Sequence, residues 1–371
     1  MKAMALVFSN VNDGNLPELT FNRTMGSVPF GGRYRLIDFV LSNFVNSDVT
    51  KIGVITKTNY QSLMDHVGTG KSWDLDRKTG GLRLLPPFGT KSSDLYISRI
   101  DALRGALNYL SKSSEEYVFL SDCDVVMNFD FKELLNYHIE KNADITLVYK
   151  HLDLSKDEAK HTIDIDVDES GRVTGIQTDT YVEGVANKYL KVLVMRRGAL
   201  QYLISDALSR GKQNFEFDIL GAAINDFAVY GYEYNGYYAC LDSLQNYYKY
   251  SMGLLDKENR DLLFNAPDRQ IYTKVKDSPP TKYGNDCRVV NSLVADGCII
   301  EGDVENSILF RGTKVGKGAK VKNCIIMQDS IIGEKAELNA VITDKNVIIR
   351  DKIILSGHPL LPFYIGKGKV L

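Results

Sequence analysis

The sequence predicts an α/β protein in two parts: a Rossmann-like domain over residues 1–256 and a left-handed parallel β-helix over residues 285–371. Three observations lead to this prediction. Apolar segments alternate with amphipathic ones in the first part, as a parallel sheet covered by helices requires. Prolines and polar residues loosen the pattern over residues 257–284, which we expect to form a linker. Short aliphatic repeats then recur at a constant spacing.

Short apolar runs predict the strands of the first domain, and helical spacing of apolar residues predicts the helices between them. The predicted strands are Ala3–Phe8, Lys51–Thr56, Tyr117–Leu120, Ile145–Tyr149 and Lys191–Met195. The predicted helices are Arg35–Asn46, Tyr60–His66, Asp101–Leu110 and Phe131–Asn142. A chain of 371 residues is long enough to give both parts a core of their own.

The C-terminal repeats have a period of 17 residues, from Val315 to Ile332 and from Ile332 to Ile349. This spacing is close to three hexapeptide faces per turn, which is typical of a β-helix whose coils bury their apolar residues against neighbouring coils. Such a domain serves as an acyltransferase body or as an oligomerisation strut. An acyltransferase needs a catalytic base, and the only histidine here, His358, lies beyond the last full coil. We therefore prefer the oligomerisation role over the acyltransferase role.

Composition excludes several classes of function. A formal net charge of −2 argues against a nucleic-acid or membrane surface. Five cysteines form no C-x-x-C pair, so neither disulfides nor a zinc site is expected. The first apolar run breaks at Ser9-Asn10, too early for a signal peptide, and no apolar stretch is long enough to span a bilayer. We expect a reduced, cytoplasmic protein.

The loop after the first strand lacks what a phosphate-binding loop needs. Such a loop requires glycines, so that backbone N–H groups can approach the phosphate, and a cation to neutralise it. Residues 9–15 contain one glycine, Gly14, one acid, Asp13, and no cation.

The segments around this loop resemble those of the ADP-glucose pyrophosphorylase (glucose-1-phosphate adenylyltransferase) family. They are Leu16-Pro17-Glu18-Leu19-Thr20, Val28–Phe39, Leu41-Ser42-Asn43, Ile52–Thr56, Trp73–Asp76 and Gly80–Phe88. The resemblance covers essentially the whole chain, including the repeats. It implies that the first domain is a nucleotidyltransferase domain of the GT-A-like type.

The resemblance also implies that this loop has lost its phosphate contacts. The family's glycine positions hold Asn10, Val11 and Asp13, its arginine position holds Asn15, and its lysine position holds Met25. These five residues form a degenerate nucleotide loop.

Family positions for metal ions and sugar are also altered. Candidates for a residual magnesium site are Asp122 and Asp124, after the strand Tyr117–Leu120, and Asp218, in the run that precedes a helix. These acids could equally cap loops or face solvent. The corresponding sugar pocket is degenerate at Thr178, Asp179, Tyr189 and Cys240.

The match is nearest to the GlgD-type subunit, a non-catalytic regulatory partner of the catalytic GlgC-type subunit. It implies a heterotetramer, with no cofactor required and a nucleotide or sugar phosphate as a weak ligand. An alternative is a weakly or conditionally active sugar-1-phosphate nucleotidyltransferase that uses Mg²⁺. A third is an acyltransferase or pure scaffold. Arg33 and Arg35 are candidates for an anion or effector site, although surface ion pairing explains them equally well.

Overall fold

The computed structural model describes residues 2–11, 13–87, 96, 98–154, 162–180 and 184–371, and only the backbone of Leu154, Asp179 and Thr180. Phe88 of the last family motif lies outside these residues. No helix in the described ranges is long and apolar enough to cross a membrane.

The first domain is built on a mixed sheet. Its strands and those packed beside it are β1 (Ala3–Phe8), β2 (Pro29–Phe30), β3 (Tyr34–Arg35), β4 (Lys51–Ile55), β5 (Gly81–Leu85), β6 (Tyr117–Asp122), β7 (Val125–Val126), β8 (Ile145–Leu154), β9 (Thr162–Val167), β10 (Val173–Thr180), β11 (Gly184–Arg196), β12 (Val229–Glu233) and β13 (Ala239–Cys240). Within the described residues, nine of them form one sheet with the path β10-β9-β11-β6-β1-β4-β5, and β8 pairs with β11 and β12.

Helices cover both faces of this sheet, and two further helices follow its last strand along the chain. They are α1 (Pro17–Thr20), α2 (Leu36–Asn46), α3 (Gln61–Val67), α4 (Arg99–Ser111), α5 (Phe131–Glu140), α6 (Arg197–Ser209), α7 (Ala222–Asp226), α8 (Leu244–Gly253) and α9 (Lys257–Phe264), with a π-helix at Phe215–Gly221.

The first strand is fully buried because it lies in the middle of the sheet. Ala5 and Val7 face a core that includes residues of α2 and α5, whereas Leu6 and Phe8 face a core that includes residues of α4 and α6. A strand covered on both faces reads as a continuous apolar run, which is why β1 was predictable to the residue.

The sheet is mixed, whereas a parallel sheet was predicted, and β9 pairs antiparallel with β10 and β11. β1, β4, β5 and β6 are parallel, but β11 runs antiparallel to both β6 and β8. The first half of β11, which includes Asn187 and Lys188, is polar, so the apolar run predicted only the second half of the strand, Lys191–Met195.

The C-terminal domain is a left-handed parallel β-helix, as predicted. Its strands form three five-stranded sheets: β14 (Lys282–Tyr283), β17 (Ile299–Ile300), β20 (Lys314–Val315), β23 (Ile331–Ile332) and β26 (Ile348–Ile349); β15 (Val289–Val290), β18 (Asp303–Glu305), β21 (Lys320–Lys322), β24 (Glu337–Asn339) and β27 (Ile354–Ser356); and β16 (Leu293–Val294), β19 (Ile308–Leu309), β22 (Ile325–Ile326), β25 (Val341–Thr343) and β28 (Phe363–Ile365). Val315, Ile332 and Ile349 stack in register inside it.

The segment expected to be a linker packs against the first domain. It contains α9, whose N-cap Asp256 accepts a hydrogen bond from the Glu258 N–H, and it buries Leu263. Farther along, the Tyr272 N–H donates to the Ser42 hydroxyl at 2.9 Å. The many charges of α9 explain why its apolar face was missed.

The two domains share a continuous core. Ile308, Ile325 and Ile342 of the third β-helix sheet lie in one apolar cluster with Phe39 and Tyr247. The Tyr247 hydroxyl donates to the Pro29 carbonyl at 2.8 Å, inside this interface. The β-helix is therefore anchored beside the segment that follows the nucleotide loop.

A buried ion pair crosses the same interface. The Arg23 guanidinium donates to both carboxylate oxygens of Asp344 at 2.7 Å, and each side chain is 3% exposed. Tyr364 of the last coil donates to the Glu18 carbonyl at 2.6 Å. These contacts tie α1 and its flanking loops to the end of the β-helix.

Candidate functional site

The loop after β1 is held by its own hydrogen bonds. The Ser9 hydroxyl donates to the Ile55 carbonyl at 2.8 Å, and the Asn10 amide donates to the Thr58 carbonyl at 3.4 Å. Val11 is exposed. These contacts anchor the start of the loop to the end of β4.

The Asp13 carboxylate satisfies the backbone donor that would otherwise be available at this loop. Its Oδ1 accepts from the Met25 N–H at 2.8 Å, and the Asp13 carbonyl accepts from the Thr20 hydroxyl at 2.7 Å. Burial raises the pKa of Asp13 to about 7, although the Met25 N–H and the charge of Lys57 oppose the rise. An acid thus lies where an anionic ligand would require a donor or a cation.

Met25 is buried and Asn15 is exposed at this loop. Met25 is 1% exposed and belongs to the interdomain apolar cluster, so its side chain contributes packing rather than charge. Asn15 is exposed and lines a cavity of about 840 Å³.

At the end of β6, Asp122 is paired with a buried arginine. The Arg99 guanidinium lies 2.6 Å from the Asp122 carboxylate and 3.3 Å from that of Glu216. Burial would lower the pKa of Arg99, but the charges of Asp122 and Glu216 raise it above its usual range. The guanidinium carbon is also 4.7 Å from the centre of the Phe8 ring and 5.8 Å from that of Phe215.

Asp124, two residues after Asp122, is paired with the partly buried Lys191. The Lys191 ammonium lies 2.6 Å from the Asp124 carboxylate, which is 1% exposed. Burial disfavours the lysine charge, but Asp124 and Asp122 raise its pKa above the usual range. Lys191 has a left-handed backbone, with φ of 57°, in the irregular stretch between Tyr189 and Leu193 where β11 changes register against β8.

Asp218 has a different role from Asp122 and Asp124. Its Oδ2 accepts from the Gln213 and Asn214 N–H groups at 3.0 and 2.9 Å, which caps the start of the π-helix. It is Glu216, from the same turn, that reaches the Arg99 pair. The described residues contain no group of three His, Cys, Asp or Glu side chains placed to hold a metal ion.

The family's magnesium ion does not fit the carboxylates at the end of β6 as they stand. Asp122 and Asp124 are each already bound to an internal cation at 2.6 Å. A divalent ion would have to displace these cations or share their buried space, at a high electrostatic cost.

Two of the residues at the positions where the resemblance implies a sugar pocket, Tyr189 and Cys240, are buried. Tyr189 is 2% exposed and lines the cavity near Lys188 and Cys240. Burial raises the pKa of the Cys240 thiol to about 12, which keeps it protonated. Thr178 is half-buried on β10 and pairs in register with Ile163, and of Asp179 only the backbone is described.

The cavity opens between the two domains. Lysines 188, 191 and 249 contribute positive charge to its lining, and Asp242 contributes a carboxylate. Pro359 and Leu360 of the last β-helix coil close one side. Its size is sufficient for a ligand as large as a hexose phosphate.

Arg33 and Arg35 do not form one site. Arg33 is exposed, with its guanidinium carbon 5.5 Å from the centre of the Tyr34 ring. Arg35 donates to the Ser62 carbonyl at 2.6 Å, and burial lowers its pKa to about 10. Instead, Arg35 lies near Arg23 and Lys345. Burial, together with the charges of Arg35 and Arg23, lowers the pKa of Lys345 to about 6. We refer to Arg23, Arg35 and Lys345 as the interdomain cationic cluster.

The sequence patterns did not predict the two cations that pair with Asp122 and Asp124. The sequence patterns assigned Lys191 only to the start of a predicted strand and gave Arg99 no role. The one available signal was a cationic residue, Arg99, just before a predicted helix.

Comparison with known proteins identifies the family. A nucleotidyl transferase model matches residues 15–177, and a GlmU-like C-terminal hexapeptide model matches residues 279–358. The chain is 37% identical over 356 residues to the glycogen biosynthesis protein GlgD of Bacillus subtilis (strain 168), covering 96% of this chain and 93% of that protein. It is 30% identical over 358 residues to the glucose-1-phosphate adenylyltransferases of Bacillus cereus (strain Q1) and Bacillus anthracis, covering 95% of this chain and 94% of each relative.

Fold and site together define a nucleotidyltransferase-type domain joined to a hexapeptide β-helix. The chain belongs to the ADP-glucose pyrophosphorylase (glucose-1-phosphate adenylyltransferase) family, and it is more similar to GlgD than to the adenylyltransferases named above. The predicted family and fold are confirmed.

Proposed function

We propose that this chain is a regulatory subunit of glucose-1-phosphate adenylyltransferase in glycogen biosynthesis. It assembles with a catalytic GlgC-type subunit, modulates its turnover or affinity, and has little or no activity of its own. The observation that carries this proposal is the Asp13 carboxylate, which accepts the Met25 N–H inside the loop where the family binds phosphate.

The chemistry of adenylyl transfer explains why this loop matters. A phosphate oxygen of the sugar phosphate attacks the α-phosphorus of ATP, the bond to the pyrophosphate group breaks, and pyrophosphate leaves. The protein must orient the reactants and stabilise the negative charge that develops. Asp13 contributes a negative charge when ionised, and Asn15 and Met25 contribute none of the positive charge required. Each lost contact of this kind lowers the rate by about tenfold per 1.4 kcal/mol.

The preserved scaffold supports an assembly role. The interdomain core and the buried pair of Arg23 and Asp344 hold the β-helix in a defined position on the first domain. A partner is modulated only if its more and less active states contact this chain differently. A rigid two-domain body can present such a surface even though its own site is altered.

Mixing the purified chain with the catalytic subunit tests the proposal. We expect a hetero-oligomer by size-exclusion chromatography with light scattering, and a change in kcat or KM of ADP-glucose synthesis. The chain alone, assayed with Mg²⁺ at high concentration, should form no ADP-glucose above background. An unchanged oligomer size together with unchanged kinetics would refute the assembly role, and clear activity of the chain alone would establish the alternative of a weakly active transferase.

A role in sensing an anionic metabolite is favoured by the interdomain cationic cluster. Arg23 is paired with Asp344, and Lys345 faces both arginines, Lys276 and the opposing charge of Asp344. Because the pKa of Lys345 is lowered to about 6, its ammonium form increases as the pH falls from 8 to 6. We therefore expect an anion to bind the cluster more tightly at pH 6 than at pH 8.

Calorimetric titration with sulfate, whose charge does not change between pH 6 and pH 8, measures this binding. Lys345→Met should weaken it at least tenfold at pH 6, and Lys317→Met, which changes an exposed lysine of the β-helix, should leave it unchanged. Equal binding by both variants would exclude the cluster as the anion site.

A further inference from the structure

We infer that Arg99 and Lys191 are permanent intramolecular substitutes for a divalent cation at the end of β6. They hold the former reaction centre in a metal-independent arrangement. This inference concerns the isolated chain and does not depend on the proposed partner.

The end of β6 combines carboxylates with cations supplied by the protein itself. Asp122, Asp124 and Glu216 place three carboxyl groups around the end of β6, and Arg99 and Lys191 place two cations among them. Two monovalent cations carry the charge of one divalent ion. A buried carboxylate without a partner is strongly unfavourable, so these cations are required wherever no metal ion is present.

The Arg99 guanidinium is enclosed by its contacts. The Arg99 side chain is 5% exposed, contacts two carboxylates, and lies near the rings of Phe8 and Phe215. Binding a metal ion to Asp122 would require this guanidinium to leave a site that bonds it and surrounds it with aromatic rings. A planar, permanently charged group held in this way is far harder to displace than a hydrated ion.

The backbone at Lys191 has an uncommon conformation. Its φ of 57° lies in the left-handed region that non-glycine residues rarely adopt, and it occurs where β11 loses register with β8. Such conformations persist where surrounding contacts compensate for their cost. Here the irregular strand places the lysine ammonium 2.6 Å from the nearly inaccessible Asp124 carboxylate.

Manganese titration of the wild-type chain and of two variants tests the inference. The wild type should bind no stoichiometric Mn²⁺ below about 1 mM, detected by electron paramagnetic resonance, and 5 mM Mn²⁺ should change its Tm by less than about 1 °C. Arg99→Gln and Lys191→Gln each remove the cation that pairs with a carboxylate at the end of β6. Each should lower the Tm, and Mn²⁺ should restore about 3 °C or more, whereas K⁺ at equal ionic strength should not.

Two controls separate this effect from general destabilisation. Lys320→Gln removes a lysine that pairs with Glu337 at 2.8 Å on the exposed face of the β-helix, and it should produce no response to Mn²⁺. Arg99→Lys keeps the cation and should remain insensitive to the metal.

Two results would overturn the inference. One is stoichiometric Mn²⁺ binding by the wild type that is lost in Asp122→Asn, and this measurement holds even if an Arg99 variant does not fold. The other is the absence of any Mn²⁺ stabilisation in a folded Arg99→Gln or Lys191→Gln chain. Neither result would bear on assembly with a catalytic subunit, which the mixing experiment measures separately.

Discussion

Replacing Asp13 with asparagine should stabilise the chain above neutral pH. The substitution retains the Oδ1 acceptor for the Met25 N–H and removes the charge that burial disfavours. The pKa of Asp13 is raised from 3.8 to about 7 in the folded chain. Its protonated form is therefore preferred by the folded state, and the associated stability is complete below pH 4 and is lost as the pH rises through 7.

The magnitude follows from that shift. The folded wild type loses about 2 kcal/mol at pH 5 and about 4 kcal/mol at pH 8, relative to a chain whose residue 13 does not titrate. Because the side chain keeps some contact with solvent, we expect about half to all of this difference. The advantage of Asp13→Asn should thus increase by about 1–3 kcal/mol between pH 5 and pH 8, or roughly 2–6 °C in Tm for a domain of this size.

Differential scanning calorimetry at pH 5.0, 6.5 and 8.0 measures this dependence. Asp286→Asn, at an exposed turn of the β-helix, is the matched control and should change the Tm equally at all three values. An Asp13→Asn advantage that is the same at pH 5 and pH 8 would show that Asp13 is not a buried acid with a raised pKa. Asp13 would then not occupy a buried position that disfavours its charge.

Three further changes test other parts of the structure. Arg23→Met leaves the Asp344 carboxylate buried without its partner, so it should cost about 3–5 kcal/mol in unfolding experiments, and a loss below 1 kcal/mol would contradict the burial of this pair. Cys240 should resist iodoacetamide at pH 8, because burial raises its pKa to about 12, while the half-buried Cys287 is the comparison; rapid labelling of Cys240 in the native chain, seen by mass spectrometry, would refute this. Asp130→Ala removes the N-cap of α5, whose carboxylate accepts from the Lys132 and Glu133 N–H groups, and should lower the stability by about 1 kcal/mol by thermal unfolding, whereas no change would mean that the cap is dispensable.

Much of the architecture was determined by sequence patterns that act locally. The apolar run of β1 fitted only a strand covered on both faces, and the 17-residue spacing of Val315, Ile332 and Ile349 fitted only stacked coils. The altered residues of the nucleotide loop could likewise be read directly, because the flanking segments preserve the family register without a gap. Such signals depend on neighbours within a few residues or on a regular repeat.

The tertiary structure alone decided which charges meet. Arg99 pairs with Asp122 across 23 residues, Lys191 with Asp124 across 67, and Arg23 with Asp344 across 321. No periodicity or short motif reports such pairs, since each cation could equally have faced solvent. Burial makes them necessary, because an ion removed from water must find an opposite charge wherever the fold brings one. The sequence therefore predicted the altered loop after the first strand, and only the folded chain showed that Arg99 and Lys191 pair with the acids at the end of β6.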